Sequence, residues 1–270
     1  MAAYLCQVTR MSTGSHAGSR ELAAALEAAR AADAIIGPLF RSNLAVEVKA
    51  DRSPVTEADI RAEAAIRAVL SRHFPRYGFY GEESGQHSMQ AENVWLVDPL
   101  DGTKSFVRDT PYFSTQIALL RQGRLVLGVS SACAAGELAW AEEGAGAWLN
   151  GQRVHVSDKS SLGDAILSTG NLKTLAASPQ WANFGKLVRR VNRLRGYGDY
   201  VHYHLLARGA LDVVIESDVN ILDIAALAVI VREAGGTFTD LAGGELSLGT
   251  TTVLASNGRL HADALAAVGY

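Results

Sequence analysis

The spacing of apolar and polar residues predicts two helices near the start of the chain. Residues 21–40 are rich in alanine and carry apolar side chains at helical spacing, which predicts the first helix. The same spacing predicts a second helix over residues 56–74. Thr56 fits the N-cap of this second helix, and Glu57 and Asp59 place acidic groups in its first turn, where they favour a helix.

A run of strands is predicted next. Residues 94–97 form a short apolar run that is typical of a strand, and residues 114–120 and 125–131 are predicted to form a hairpin. A further strand is expected at 137–142. The glycine-rich residues 144–151 predict only a turn-rich connector.

Strands and helices alternate in the rest of the chain. The sequence predicts strands at 165–168, 191–197 and 211–216, and helices at 183–192, 200–208 and 223–233. Gly235 and Gly236 follow the last helix and are typical of a helix end. The pattern therefore predicts an α+β first part over residues 21–157 and an α/β second part over residues 158–270.

The composition excludes several classes of protein. A chain of 270 residues that is 48% hydrophobic can bury a substantial core. A net charge of −3 argues against a general nucleic-acid or anionic-membrane binder, which should be basic. No apolar run approaches the roughly 18 residues of a membrane-spanning helix, and residues 1–20 have no signal-peptide core and are expected to be a flexible leader, with Met11 as an alternative start. Cys6 and Cys133 give neither a disulfide framework nor a metal-binding spacing, so a soluble cytoplasmic protein is expected.

The stretch WLVDPLDGTKSF, residues 95–106, carries the first candidate chemistry. Pro99 ends the apolar strand and Gly102 permits a tight turn, so the carboxylates of Asp98 and Asp101 can converge with the carbonyl of Leu100. Convergent oxygen ligands suit Mg²⁺. A plain polar turn remains an equally open interpretation of this stretch alone.

Further groups make phosphate chemistry an attractive hypothesis. The backbone N–H groups of Gly102, Thr103 and Lys104 would lie at a helix start, which is a favourable place for an anion. Glu82 can supply a third carboxylate and Asp223 a fourth, although an exposed loop glutamate and a helix-capping aspartate are the simpler interpretations of these two residues.

Four stretches resemble the inositol monophosphatase family of Mg²⁺-dependent, lithium-sensitive phosphatases. They are GEES, WLVDPLDGTKSF, LDIAA and VREAGG. The family signature D-P-[I/L]-D-G-T is matched at each position by residues 98–103, whereas Leu222 stands where the family usually has tryptophan. The resemblance extends from about residue 21 to residue 260. It implies the layered α/β/α/β/α sandwich of the sugar-phosphatase superfamily, with both parts forming one catalytic unit, and a homodimer.

The resemblance also implies a role for each matched residue. Metal ligands would be Glu82, Asp98, the Leu100 carbonyl, Asp101 and Asp223. Catalysis would depend on Glu82, Asp98, Asp101 and Thr103, with Thr103 and Glu82 orienting the attacking water. The substrate would contact Gly102, Thr103, Asp199, Glu216 and Asp223, with the N–H groups of Gly102 and Thr103 around its phosphate.

Two positions keep an open alternative. Asp59 falls where the family has an acidic residue near a weaker third metal, but it equally fits a capping box with Thr56. Lys49 either screens phosphate charge or is a solvated lysine.

The substrate is expected to be a small phosphorylated molecule, with histidinol phosphate favoured. Residues 103–108 and the stretch RGYGDY at 195–200 resemble histidinol-phosphatase-like members of the family. Asp199 and Glu216 can accept charge-assisted hydrogen bonds from the ammonium and imidazole of histidinol phosphate, which would place the enzyme in histidine biosynthesis. Inositol 1-phosphate is the alternative, because inositol phosphatases use a glutamate at the position of Glu216 to contact a hydroxyl. A turn acceptor is the alternative role for Asp199.

Two remaining patterns have simpler explanations. His202 and His204 lie two residues apart in a predicted helix and point to different sides of it, so they are expected to be packing or surface residues, not metal ligands. Some family members act as partners of RNA polymerase or ribosomal RNA. A modest basic cluster would fit such a role, although arginine-rich helix faces are usually only solvated. The cluster consists of Lys186, Arg189, Arg190, Arg193 and Arg195.

Overall fold

The computed structural model of the chain describes residues 18–42, 46–48 and 54–270. The helices are α1 (Arg20–Leu39), α2 (Glu57–His73), α3 (Thr103–Val107), α4 (Lys173–Ala176), α5 (Trp181–Val188), α6 (Asp199–Ala207), α7 (Ile221–Glu233) and α8 (His261–Val268). The strands are β1 (Val46–Val48), β2 (Pro54–Thr56), β3 (Gly78–Gly81), β4 (Gly85–His87), β5 (Asn93–Asp101), β6 (Ser114–Arg121), β7 (Arg124–Ala132), β8 (Glu137–Glu142), β9 (Gly146–Leu149), β10 (Gln152–Val154), β11 (Ile166–Thr169), β12 (Arg193–Arg195), β13 (Val213–Ser217), β14 (Thr237–Thr239) and β15 (Thr252–Ser256). Lys49 and positions 1–17 of the predicted leader lie outside the described residues.

Both helices predicted near the start of the chain are confirmed, with the caps that their sequences suggest. The Ser19 hydroxyl accepts a hydrogen bond from the Leu22 N–H at 3.0 Å and so begins α1 inside the predicted leader. In α2, the Thr56 hydroxyl accepts from the Ala58 N–H while the Thr56 N–H donates to Asp59, which completes a capping box.

The first two layers are a helix pair and a large sheet. Eight strands lie in the order β10-β9-β8-β7-β6-β5-β3-β4. Side chains of β5 alternate between the two faces of this sheet, as a strand requires. Trp95 and Val97 pack into the core that α1 and α2 cover, whereas Val94 and Leu96 pack into a second core on the opposite face.

The remaining three layers are built in the same way. Helices α6 and α7 occupy the second core, between the large sheet and a five-stranded sheet of order β12-β11-β13-β15-β14. In β13, Val214 faces this middle core, whereas Val213 and Ile215 face a third core that α4, α5 and α8 cover. The order is thus helix, sheet, helix, sheet, helix, which confirms the expected layered sandwich.

Helix α7 is the centre of the molecule. It is apolar on all sides, and every residue from Ile224 to Val231 is buried, as expected for a helix between two sheets. A Cβ at Gly128 of β7 would clash with the backbone of Ala226, so glycine at this position allows α7 to approach the large sheet closely. This close packing fixes the position of the α7 N-terminus, where Asp223 lies.

One predicted element was wrong, and one division stays a prediction. The expected connector at 144–151 contains β9, which pairs with β8 and stacks Trp148 on Trp140 at a ring-centroid distance of 6.4 Å. The strand was missed because it is short and flanked by glycines, which by themselves favour turns. The division of the chain into two parts, 21–157 and 158–270, stays a prediction. Helix α7, from the second part, packs in one core with strands of both sheets.

A buried carboxylate on α1 gives the fold a testable pH dependence. Asp33 accepts a hydrogen bond from the Ser131 hydroxyl at 2.7 Å, and its other carboxylate oxygen is buried without a partner among the described residues. Burial raises the pKa of Asp33 to about 6, against the opposing effects of Ser131 and of the Arg30 charge. A folded-state pKa above the unfolded one means that the native state loses stability as pH rises from about 4 to about 7.

We expect Asp33→Asn to remove this loss, because an uncharged amide has no charge to desolvate. At pH 7.5 the variant should have a free energy of unfolding higher than wild type by roughly 1–3 kcal/mol, and at pH 4.5 this difference should fall to about 1 kcal/mol or less. Denaturant unfolding at both pH values measures the difference. Asp158→Asn, on an exposed aspartate, is the control and should follow wild type. An equal offset at both pH values would contradict the prediction.

Candidate active site

Pro99 was expected to end the strand, but β5 continues through it to Asp101. A bulge near this end of β5 shapes the segment from Asp98 to Gly102. Asp98 pairs with Gln116 and Asp101 with Ser114, so the register shifts between the two aspartates. The Leu100 N–H donates to the Asp98 carboxylate at 2.9 Å. Gly102 has φ +90°, and a Cβ there would lie 2.5 Å from the Tyr112 carbonyl, so only glycine fits. The turn thus directs Asp98 and Asp101 towards one point.

Helix α7 brings a third carboxylate to this point. Asp223 lies in the first turn of α7, where its carboxylate accepts a hydrogen bond from the Asn220 N–H at 2.9 Å. One carboxylate oxygen from each of Asp98, Asp101 and Asp223 lies within 4.8 Å of the others. The capping interpretation of Asp223 is therefore correct but incomplete, because the same side chain also completes an acidic cluster.

The electrostatics of this cluster fit a divalent cation. Burial, with the nearby charges of Glu82 and Asp101, raises the pKa of Asp98 well above its usual range. Burial, with the charges of Asp199 and Asp223, does the same to the pKa of Asp101. Carboxylates held this close repel one another, and a cation coordinated between them would remove that repulsion.

Glu82 is held beside the cluster by backbone hydrogen bonds of residues 82–84, one set of which involves Glu63, a residue that was not predicted from the sequence. The Glu82 N–H donates to the Val97 carbonyl at 3.1 Å, next to Asp98. The buried carboxylate of Glu63 accepts the next two N–H groups, from Glu83 at 2.7 Å and from Ser84 at 2.8 Å. The sequence contains a feature that could have indicated Glu63. It lies four residues after Asp59 on α2 and is a second acid on a helix face that is otherwise apolar.

Asp59 forms the predicted capping box, and its place near a third metal stays a prediction. One oxygen of its carboxylate serves the capping box with Thr56 at 2.7 Å, and the other accepts from the Thr103 hydroxyl at 3.0 Å. The Leu100 carbonyl lies at the same distance from that hydroxyl. Thr103 is thus anchored by Asp59 and Leu100.

A cleft adjoins the cluster, and four of its nine lining residues are acidic. Its polar lining includes Asp101, Asn171, Asp199, Glu216 and Asp223. Burial, with the charge of Glu216, raises the pKa of Asp199 to about 6. Asp199 has φ +46° and provides no side-chain cap for α6, so its predicted alternative as a turn acceptor is not what the structure shows.

The two histidines of α6 are buried, which corrects the expectation that they could be surface residues. His202 lies 3.0 Å from the Glu216 carboxylate and His204 lies 2.8 Å from the Glu137 carboxylate. A helix between two sheets leaves no free side, so both histidines are enclosed and each pairs with an acid. The expectation that they are packing residues is confirmed.

Sequence and structure comparisons agree on one family. The inositol monophosphatase family model matches residues 19–269. A histidinol-phosphatase of Streptomyces coelicolor is 41% identical over 247 residues, covering 88% of this chain and 92% of the relative. An inositol-1-monophosphatase of Rhizobium meliloti is 35% identical over 219 residues, covering 80% and 82%. The crystal structure of the extragenic suppressor protein suhB from Bartonella henselae superposes with a TM-score of 0.85 at 31% identity, covering 93% of this chain and 98% of that one.

The layered sandwich and the acidic cluster at the end of β5 define a phosphoric monoester hydrolase of a generally metal-dependent class. The chain belongs to the inositol monophosphatase family. Among the helices that the structure describes, none combines the length and apolar character needed to cross a membrane.

Proposed function

We propose that the protein is a Mg²⁺-dependent phosphatase of small phosphomonoesters, and that histidinol phosphate is its substrate. The observation that carries the proposal is the convergence of Asp98, Asp101 and Asp223 within 4.8 Å, next to a cleft with further acidic groups. All ligand atoms of this cluster are oxygens, which Mg²⁺ prefers.

The ligands proposed for Mg²⁺ are Glu82, Asp98, the Leu100 carbonyl, Asp101 and Asp223. Bound Mg²⁺ would supply charge neutralisation at the phosphoryl group and activation of the attacking water. The Thr103 hydroxyl proton has two acceptors, Asp59 and the Leu100 carbonyl, so the hydroxyl oxygen keeps a lone pair for a hydrogen bond from that water. Thr103, together with Glu82, is therefore proposed to orient the water.

The phosphate is proposed to lie against the turn that begins α3. The N–H groups of Thr103 and Lys104 are the first of this helix and have no acceptor within it. Together with the Gly102 N–H they directly follow Asp101, the last residue of β5. Donors at this place are proposed to bind phosphate oxygens beside the acidic cluster.

The acidic cleft favours a substrate with a cationic group. Asp199 and Glu216 add carboxylates beyond those of the cluster, and an ammonium or imidazolium would bind them by charge-assisted hydrogen bonds. Histidinol phosphate carries such groups, and a relative named histidinol-phosphatase is 41% identical. Inositol 1-phosphate is the second candidate, supported by a relative of that name at 35% identity. Its neutral hydroxyls do not require the additional acid.

Phosphate release from a panel of substrates tests the proposal. The panel contains histidinol phosphate, inositol 1-phosphate, phosphoadenosine phosphate and fructose 1,6-bisphosphate, each measured with Mg²⁺ and with EDTA. We expect kcat/KM for histidinol phosphate to exceed the others by about a hundredfold, which corresponds to about 2.7 kcal/mol of differential transition-state binding. A preference for inositol 1-phosphate would keep the metal site and refute the substrate.

Absence of release from all four substrates would favour the role of an RNA-binding partner. Salt-dependent RNA binding would then be measured, since the basic cluster of Lys186 and its neighbouring arginines is exposed. A homodimer and a cytoplasmic location stay predictions.

A further inference from the structure

His202 belongs to a buried chain of hydrogen bonds that ends in the cleft. The Glu216 carboxylate accepts from the Tyr203 hydroxyl at 2.7 Å and from the Asn171 N–H at 3.1 Å, and it lies 3.0 Å from Nε2 of His202. Glu216, His202 and Tyr203 are 3%, 0% and 1% exposed. A Cβ at Gly170 would occupy the position of the Glu216 carboxylate, so the glycine leaves space for it. Glu216 is therefore held in one place.

The other side of the His202 ring faces the segment that carries Asp199. Nδ1 of His202 lies 3.4 Å from the Ser168 hydroxyl, which accepts a hydrogen bond from the Tyr197 N–H at 3.3 Å. Because this hydroxyl accepts from Tyr197, its own proton is available to Nδ1, which leaves the Nε2 proton for Glu216. One ring thus connects Glu216 to the backbone two residues before Asp199.

The connected segment needs such support. Gly198 and Asp199 have φ values of +70° and +46°, and the second is a conformation that non-glycine residues seldom adopt. Asp199 and Glu216 line the same cleft, and their carboxylates repel each other. A fixed partner on each side would oppose this repulsion and hold the two acids in the cleft.

We propose that His202 is a positioning residue for substrate selection, which fixes Glu216 directly and Asp199 through Ser168. The inference deepens the proposed function and rests on it. His202 lies beneath the groups that would contact the part of the substrate beyond its phosphate. Its loss should therefore affect substrates that use these acids and spare a substrate that offers only a phosphate and a neutral aryl group.

His204 offers a matched control. It lies on the same helix, is 1% exposed, and pairs with Glu137 at 2.8 Å and with the Ser130 hydroxyl at 3.0 Å. Glu137 is not among the residues that line the cleft. Replacing His204 removes a histidine as buried as His202, together with its pairing to an acid, without touching Glu216.

The test measures the ratio of kcat/KM for histidinol phosphate to kcat/KM for p-nitrophenyl phosphate. This ratio is compared between wild type and the variants His202→Leu, His202→Gln and His204→Leu. We expect His202→Leu to lower the ratio about tenfold or more, almost entirely through histidinol phosphate. His202→Gln keeps a donor for Glu216 and should recover most of the loss. His204→Leu should lower the melting temperature to a similar degree and leave the ratio within about twofold of wild type. Ser168→Ala removes the hydroxyl that joins His202 to the Tyr197 N–H and keeps the pair of His202 with Glu216. It should lower the ratio in the same direction and serves if His202→Leu does not fold.

The possible failures are distinguishable. Wild-type protein that does not hydrolyse histidinol phosphate overturns the proposed substrate and this inference with it. Wild-type activity with an unchanged ratio in His202→Leu, or with equal changes in His202→Leu and His204→Leu, overturns the role of His202 alone.

Discussion

Asp101→Asn should lower kcat/KM by about a thousandfold or more, which corresponds to about 4 kcal/mol of transition-state stabilisation. Asn keeps the size of the side chain but removes one anionic ligand from the cluster with Asp98 and Asp223. Because Asp101 ends β5 directly before Gly102, it also lies between the proposed metal and phosphate positions.

Although Asp101→Asn should lose activity, its metal-free form should not lose stability. Burial and the charges of Asp199 and Asp223 disfavour an ionised Asp101, so the metal-free variant should melt at the wild-type temperature or above it. Added Mg²⁺ should raise the melting temperature of wild type and have little effect on the variant. Phosphate release and thermal unfolding with Mg²⁺ or EDTA measure both effects. Asp109→Asn, in the exposed loop after α3, is the control; near-normal turnover of Asp101→Asn would refute the metal assignment.

Glu63→Gln should weaken Mg²⁺ binding by roughly ten- to a hundredfold, although Glu63 is not a proposed ligand. Its carboxylate accepts the N–H groups of Glu83 and Ser84 with two separate oxygens. A glutamine amide offers one oxygen and turns its NH₂ group towards the other N–H, so one hydrogen bond becomes a repulsive contact. The loop that carries Glu82 would then shift away from Asp98.

Calorimetric titration of the metal-free protein with Mg²⁺ measures this effect without reference to turnover. Glu57→Gln is the matched control, because Glu57 lies on the same helix with an exposed side chain that pairs only with Arg61 among the described residues. Activity of Glu63→Gln should recover at high Mg²⁺ concentration. A variant that loses stability but binds Mg²⁺ within twofold of wild type would show that Glu63 supports the fold and does not position Glu82.

The raised pKa values in the cluster explain why these two variants should differ in stability. Asp101 is a member of a set of like charges, and its removal relieves repulsion. Glu63 accepts two backbone hydrogen bonds in a buried place, and its replacement leaves a donor without an acceptor. We therefore expect Asp101 and Glu63 to have opposite effects on the stability of the metal-free fold, and both to be needed for Mg²⁺ binding.

Much of the site could be predicted from the sequence because its central part is local. Pro99 and Gly102 restrict the backbone of this segment, so the convergence of Asp98 and Asp101 could be predicted from residues close to them in the sequence. The caps at Thr56 and Asn220 are likewise formed within three residues of the groups they serve. The helices of the first layer and the hairpin of β6 and β7 follow from the period of their apolar residues, which needs no knowledge of distant partners.

Tertiary structure alone decided which distant residues join that turn. The position of Asp223 depends on how α7 packs between two sheets, with Gly128 allowing the close approach. The same layered packing determines three further features. They are the hydrogen bonds that Glu63 accepts from Glu83 and Ser84, the pairing of β9 with β8, and the burial of His202 and His204. Residue periodicity reports which face of an element is apolar, but it does not report which other element covers that face. The turn at Asp98 to Thr103 was thus determined by its own sequence, whereas the acids and histidines around it were brought there by the packing of the layers.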